Sequence, residues 1–239
     1  MARSGTPLLA VLIDADNSSP QWAEAIFEEI ASLGEASVRR IYGDFSRPGL
    51  KGWSDRLATL GLVPQHSPMN TVGKNASDIA LVIDAMDLLH SGRFDGFVLV
   101  SSDSDFTRLA SRIREQGLDV YGIGQQKTPE AFRRACKRFI FVENLLAADA
   151  APEGSTQKEA PARKEPPQKV IPLIVAAMRA IGDEEWYSLG QIGQFIVQAN
   201  PEFDARTYGS AKLSDLIRKT GRFEVKQGQG NHLLVRDLA

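Results

Sequence analysis

The chain reads as an α/β fold, a parallel sheet with helices on both faces, followed by a small domain of three helices and a terminal hairpin. Three observations predict this. Short apolar runs alternate with helix-period segments through residues 1–146, the pattern of βαβ units. Residues 147–169 then contain no Val, Ile, Leu or aromatic residue and hold four of the chain's twelve prolines. Such a stretch cannot bury enough apolar area to offset its ordering entropy, and it reads as a flexible Pro/Ala-rich linker. Residues 170–239 return to helical periodicity and close on two short strands. A length of 239 residues leaves each part a usable core.

Strands are expected at 8–13, 37–42, 61–65, 96–100, 118–123 and 139–142, where apolar and β-branched residues cluster. Helices are expected between them at 20–33, 49–60, 75–89, 105–116 and 128–135. The 75–89 segment is the most regular, with Ile79, Val82, Ile83, Met86 and Leu89 forming a stripe expected to face the core. In the second part, helices are expected at 170–181, 189–199 and 205–220, with strands at 223–226 and 232–236. That order predicts a winged helix.

Composition excludes several classes. The 28 basic and 30 acidic residues give a net charge of −2, so no uniformly basic coat exists to hold nucleic acid. Cys136 is the only cysteine, which excludes an intramolecular disulfide and a cysteine metal cluster and favours a reducing, cytoplasmic setting. The apolar run at 8–13 is six residues long and acids follow it at once, so it reads as a first strand and not a leader. No stretch approaches the ~18 apolar residues of a membrane span.

The candidate chemistry gathers at strand ends. One strand finishes in Asp14-Ala15-Asp16-Asn17 and another in Ser101-Ser102-Asp103-Ser104-Asp105-Phe106, while Asp78 opens the striped helix after Lys74 and Asn75. In a parallel sheet both strand ends emerge on one edge, where Asp78 could join them. Carboxylates sharing a site raise each other's pKa, and a hard cation such as Mg²⁺ or Mn²⁺ relieves that conflict through oxygen ligands. Asp14, Asp78 and Asp103 form the expected acidic set. Asp105 could instead cap the helix that follows it. Asp84 and Asp87 fall about 120° and 180° around the helix from Asp78 and are expected to be solvated.

These motifs resemble the NYN nuclease family within the PIN-like fold. The resemblance rests on VLIDADN at 11–17, the Lys74-x₃-Asp78 spacing leading into IALVIDAMDLL, SSDSDF at 101–106, and the closing stretch at 121–145, and it covers most of residues 7–146. It implies metal-dependent cleavage of RNA, with Asp14, Asp78 and Asp103 as metal-binding and catalytic acids. Asn17 matches the polar residue of the first motif and Asp105 the second acid of the third, while a role for Asp16 is left open. Residues 186–225 with the final HLLVRD are similar to an OST-HTH/LOTUS domain, carried by Ser188-Leu189, Phe203, Tyr208-Gly209, Leu213, Leu216-Ile217 and Phe223. That resemblance implies RNA binding and protein contacts, with homo-oligomerisation left open.

Two other readings stand beside the nuclease. Asp14-Ala15-Asp16 also resembles the first motif of haloacid-dehalogenase-like phosphatases, although Ser18 stands where that family favours Thr. The same fold could also serve as an RNA or protein adaptor without turnover. For holding RNA, residues 108–138 carry eight basic residues against three acids, and 206–226 six against two. Lys74, Arg108, Arg133, Arg134, Lys212, Arg218 and Lys219 are the candidate contacts, each gaining from counterion release. Arg47, Lys51 and Trp53 could add a phosphate contact and a stacking platform.

Overall fold

The computed structural model describes residues 5–66, 76–145, 164–228, 230 and 232–239, which fall into two compact units. Lys74 and most of the expected linker lie outside the described residues. In the first unit, six strands form one parallel sheet: β1 (Leu8–Asp14), β2 (Glu35–Gly43), β3 (Val63–His66), β4 (Gly96–Val100), β5 (Asp119–Gly124) and β6 (Arg138–Phe141). Their order is β3-β2-β1-β4-β5-β6, and every adjacent pair is parallel. Chain order therefore reverses between β1 and β4, where the two outgoing connections leave toward opposite sides and open a crevice. β1 and β4 are the most apolar strands because both of their faces are covered, and β4 is buried throughout.

The covering helices are α1 (Ala23–Leu33), the short α2 (Lys51–Ser54) and α3 (Leu57–Leu60), α4 (Ala76–His90), α5 (Thr107–Glu115) and α6 (Glu130–Ala135). Two clusters of buried side chains lie on the two faces of the sheet. One joins Trp22, Ile26 and Ile30 to Val11, Ile13 and Val98; the other joins Leu81, Ala85 and Leu109 to Leu12, Phe97 and Phe139. This is the fold class expected from the alternating pattern. The expected single helix at 49–60 is broken into a 3₁₀ turn, α2 and α3, consistent with the low helix propensity of Gly49 and Gly52.

The face presented by α4 corrects the expected stripe. Leu89 is buried and Met86 half-buried, but Ile79 and Ile83 are 60% and 56% exposed and Val82 is also exposed. The buried face is instead Ser77, Leu81, Ala85, Leu88 and Leu89. This helix is apolar nearly all round, so two apolar registers compete and periodicity alone chose the wrong one. A polar contact on the packed side holds the observed rotation. Asp84 accepts a hydrogen bond from the buried Tyr42 hydroxyl at 2.8 Å and pairs with Arg40 at 2.8 Å. Asp84 is thus anchored, not simply solvated, and burial beside that carboxylate pushes the Tyr42 phenol far above its ordinary range.

The second unit contains α7 (Ile171–Ile181), β7 (Tyr187–Ser188), α8 (Leu189–Ala199), α9 (Leu213–Thr220), β8 (Phe223–Gln227) and β9 (Leu233–Asp237). Its antiparallel sheet runs β7-β9-β8, adding the two-residue β7 to the expected hairpin. Val170, Ile174, Ile192, Ile196, Leu216, Ile217 and Val235 form its core. The segment expected as one helix at 205–220 is divided, because Gly209 adopts φ 71° after a 3₁₀ turn and ends it. Glu165 donates its N–H to the Thr207 carbonyl, so residues 164–169 pack with this unit. No helix among the described residues is long and apolar enough to cross a membrane.

Candidate active site

Asp14 is the last residue of β1 and only 1% exposed. A carboxylate that deep must be given donors, and the loops at the crevice supply them. The backbone N–H groups of Asp16 and Asn17 reach its Oδ1 at 3.1 and 3.2 Å, and the Ser101 hydroxyl donates to its Oδ2 at 2.7 Å. Ser18 donates its hydroxyl to the Asp14 carbonyl. Burial raises the Asp14 pKa, and hydrogen bonds from Ser101 and from the Asn17 side chain oppose that rise.

Ser101 also ties the second loop to the first. Its Oγ accepts the N–H of Asp103 at 3.0 Å, so a continuous path of hydrogen bonds runs from Asp103 through Ser101 to Asp14 across the switch from β1 to β4. Asp103 in turn accepts the Asp105 N–H at 2.9 Å and caps the turn Ser104–Phe106. The capping role considered for Asp105 belongs to Asp103. Asp105 is exposed in the first turn beyond it.

Asp78 projects from the first turn of α4 into the same electrostatic neighbourhood. Its pKa is raised to about 6, first by burial and then by repulsion from Asp14, Asp103, Asp105 and Asp16. Asp16, whose role the sequence leaves open, accepts from Ser77 at 3.3 Å and stands 3.8 Å from Arg47. Three separated chain segments thus place their acids around one edge. Among the described residues, no three His, Cys, Asp or Glu stand close enough to ligate one ion. The repulsion acts over a longer range than shared ligation.

Two residues of this edge escaped the sequence reading. Asp44 follows β2 on the same edge, is 6% exposed, and accepts from the Ser46 N–H and hydroxyl. Its signal was a third acid one residue beyond a strand. Ser101 was legible only as part of SSDSDF, because its role depends on register between two strands that are remote in sequence.

The basic candidates have varied surroundings. Arg108 is exposed on α5, directly after the Asp105 turn. Arg133 is half-buried with its guanidinium over Phe141 at 5.7 Å, and Arg134 pairs with Glu130 at 2.6 Å. In the second unit, Lys212, Arg218 and Lys219 lie at the start and end of α9, with Arg218 3.6 Å from Asp215 and Lys219 donating to the Gly209 carbonyl at 2.7 Å. Trp53 is fully buried and donates its indole N–H to the Ser18 carbonyl at 3.0 Å, so it supports the first loop and is not a stacking platform. Cys136 is buried as well, and desolvation pushes its thiol up to about 12.

Comparison with known proteins agrees with this architecture. Residues 8–145 match the NYN domain and residues 164–235 match the OST-HTH/LOTUS domain. No curated protein matches the chain. Among solved structures, a protein of unknown function from Vibrio parahaemolyticus is 21% identical, covering 58% of this chain and 94% of its own, with a TM-score of 0.48. An uncharacterized protein from Nitrosomonas europaea is 26% identical over 38% of this chain and 90% of its own, with a TM-score of 0.27. The chain therefore belongs to the NYN domain family, in its PIN-like fold, and carries an OST-HTH/LOTUS domain after it.

Proposed function

We propose that the protein is a Mg²⁺- or Mn²⁺-dependent ribonuclease that hydrolyses RNA phosphodiester bonds at its acidic edge, with the C-terminal domain binding RNA. The observation that carries this reading is the convergence of Asp14, Asp78 and Asp103 from three separate segments on the edge at the β1/β4 crevice. Together with burial, that crowding raises the Asp78 pKa to about 6. Such crowding is costly for a structural site and useful for one that receives a cation. The donors are of the type a hard metal takes, carboxylate oxygens alone, although no three of them stand at ligating distance among the described residues. Asp14, Asp78 and Asp103 would hold the ion. Bound there, the cation would supply charge neutralisation at the scissile phosphate and acidify the attacking water.

The chain's own residues prepare that position. Ser101 and Asn17 orient Asp14 and partly offset the rise in its pKa that burial causes. The capped turn fixes Asp103, and Asp105 would orient water beside it. Arg108, next to the edge, would meet the RNA backbone, with Arg133, Arg134 and Lys74 extending that contact. Lys212, Arg218 and Lys219 would serve the C-terminal domain, which also offers a surface to protein partners. The lone buried cysteine supports a reducing compartment such as the cytoplasm.

The test is incubation of labelled single-stranded and structured RNA with the purified protein in Mn²⁺, Mg²⁺ or EDTA, beside Asp103→Asn. Cleavage that needs the cation and falls at least about 100-fold in the variant is expected. Metal-independent cleavage, or equal cleavage by the variant, would overturn the reading. A second reading, RNA binding without turnover, is favoured by the absence of a ligand-distance cluster of three acids among the described residues. It predicts RNA retention with no cleavage under any cation.

A further inference from the structure

The loop after β2 shares the acidic edge with the loop after β1, and the two are fastened together. Ala15 donates its N–H to the Tyr42 carbonyl at 2.9 Å, and Trp53 reaches back to the Ser18 carbonyl at 3.0 Å. They run so close that a Cβ on Gly43 would stand 3.1 Å from that of Ala15. Inside the loop, buried Asp44 accepts from the Ser46 N–H and hydroxyl, and its carbonyl takes the Arg47 N–H at 3.0 Å. The Arg47 carbonyl accepts the Leu50 N–H at 3.1 Å. Both backbone groups of Arg47 are therefore committed, and the base of its side chain is fixed.

The guanidinium at the other end is not committed. Arg47 is 57% exposed along its side chain, and its partner among the described residues is Asp16 at 3.8 Å, beyond hydrogen-bond reach. Its fork of N–H donors is unspent there. An exposed pair at that distance contributes at most ~1 kcal/mol, so stability alone does not account for a side chain mounted so firmly. Asp16 is one of the acids that crowd Asp78, which puts Arg47 at the rim of the acidic edge. A phosphodiester reaching that edge meets repulsion from the carboxylates and needs cationic donors beside them. The planar guanidinium fork matches two phosphate oxygens, and a contact as loose as that with Asp16 is given up at little cost.

We propose that Arg47 binds a phosphate of the RNA lying across the acidic edge, exchanging its contact with Asp16 for a bidentate one. Asp44 is then a positioning residue that acts through Arg47 by fixing the turn that carries it. This assigns a use to a buried carboxylate at the edge that is not among the expected metal ligands. Arg47 stands on the β2 side of the crevice and Arg108 on the β4 side, so the strand is held from both flanks of β1. This inference rests on the ribonuclease reading and deepens it.

The test counts phosphates. Binding of a labelled single-stranded RNA is measured at a series of KCl concentrations in Mg²⁺, using the full chain with Asp103→Asn to suppress cleavage. Asn caps the turn at 104–106 as Asp does. Adding Arg47→Gln should weaken binding about 3- to 10-fold whatever the RNA sequence. It should also lower the slope of log K against log[KCl] by about 0.7, the share of one phosphate on a single strand. Arg47→Lys should keep the slope, because charge and not the fork sets counterion release. Asp44→Ala should lower the slope as much as Arg47→Gln, with no further fall when the two are combined, while Asp44→Asn retains an acceptor for the Ser46 N–H and should keep it. Arg47 is exposed, so its variants test the contact without disturbing a core. Unchanged slope and affinity in Arg47→Gln would overturn the proposal, and losses from Asp44→Ala and Arg47→Gln that add would overturn the positioning role. If the wild type cleaves RNA with a cation and Arg47→Gln changes neither quantity, this inference alone falls. Should the wild type cleave no RNA with any divalent cation, the ribonuclease reading fails first and takes this inference with it.

Discussion

At the residue scale, Asp78 links electrostatics to stability with a definite sign. Its pKa in the fold, about 6, lies above the ordinary 3.8, so the fold favours its protonated form. Stability from this group is complete below about pH 4 and is lost as pH rises through 6. Asp78→Asn should therefore stabilise the metal-free protein by about 1 kcal/mol at pH 7 after allowance for solvent screening, and by almost nothing at pH 4. Thermal unfolding at both pH values checks this. A loss of stability at pH 7 would mean that Asp78 makes favourable contacts outweighing its repulsion. Mn²⁺ should raise the melting temperature of the wild type more at pH 7 than at pH 5, because protons compete for the same carboxylates. Ser101→Ala removes a donor from buried Asp14 and should cost about 1–3 kcal/mol. By raising the Asp14 pKa further, it should also move the acid limb of a cleavage profile to higher pH, which a purely packing role would leave in place.

At the element scale, α4 sets where Asp78 points. Its apolar sequence permits two rotations about the helix axis, and the Tyr42–Asp84–Arg40 contacts accompany the one observed. The competing registers give opposite mutational results. Leu81→Ala should cost about 2–4 kcal/mol as a cavity beneath the helix, while Ile79→Ser, on the exposed face, should change stability by less than about 0.5 kcal/mol. Denaturant unfolding of the two variants decides. The reverse order of costs would restore the stripe that periodicity selects. Elements with one strong signal were readable directly: β4 and α8 coincide with their expected bounds because turn-forming or capping residues flank a single apolar pattern. The helix expected at 205–220 was not, although Gly209 stood in view, because a glycine marks a break only when the backbone takes positive φ there.

At the scale of the whole molecule, three hydrophobic clusters divide between two compact units, two in the first and one in the second. Limited proteolysis is expected to cut first within the 147–169 segment and to leave two resistant fragments, since that sequence has no Val, Ile, Leu or aromatic residue with which to build a core of its own. A single resistant body spanning the segment would contradict the division. The near-neutral total charge also acquires meaning at this scale. It averages an acidic edge at the β1/β4 crevice with basic stretches such as 108–138, and only the distribution bears on binding a polyanion.

By itself the sequence determined the parallel α/β architecture, the second helical unit and the acids of the edge, because strand runs, composition and motif spacing are local along the chain. Tertiary structure decided what depends on residues remote in sequence. It joined Ser101 to Asp14 across 87 positions, brought Asp44 to the same edge, turned Ile79 and Ile83 outward, and buried Trp53 with its indole N–H on the Ser18 carbonyl. Local patterns state which side chains are apolar or charged. Which of them meet is fixed by strand register and by how each helix turns against the sheet.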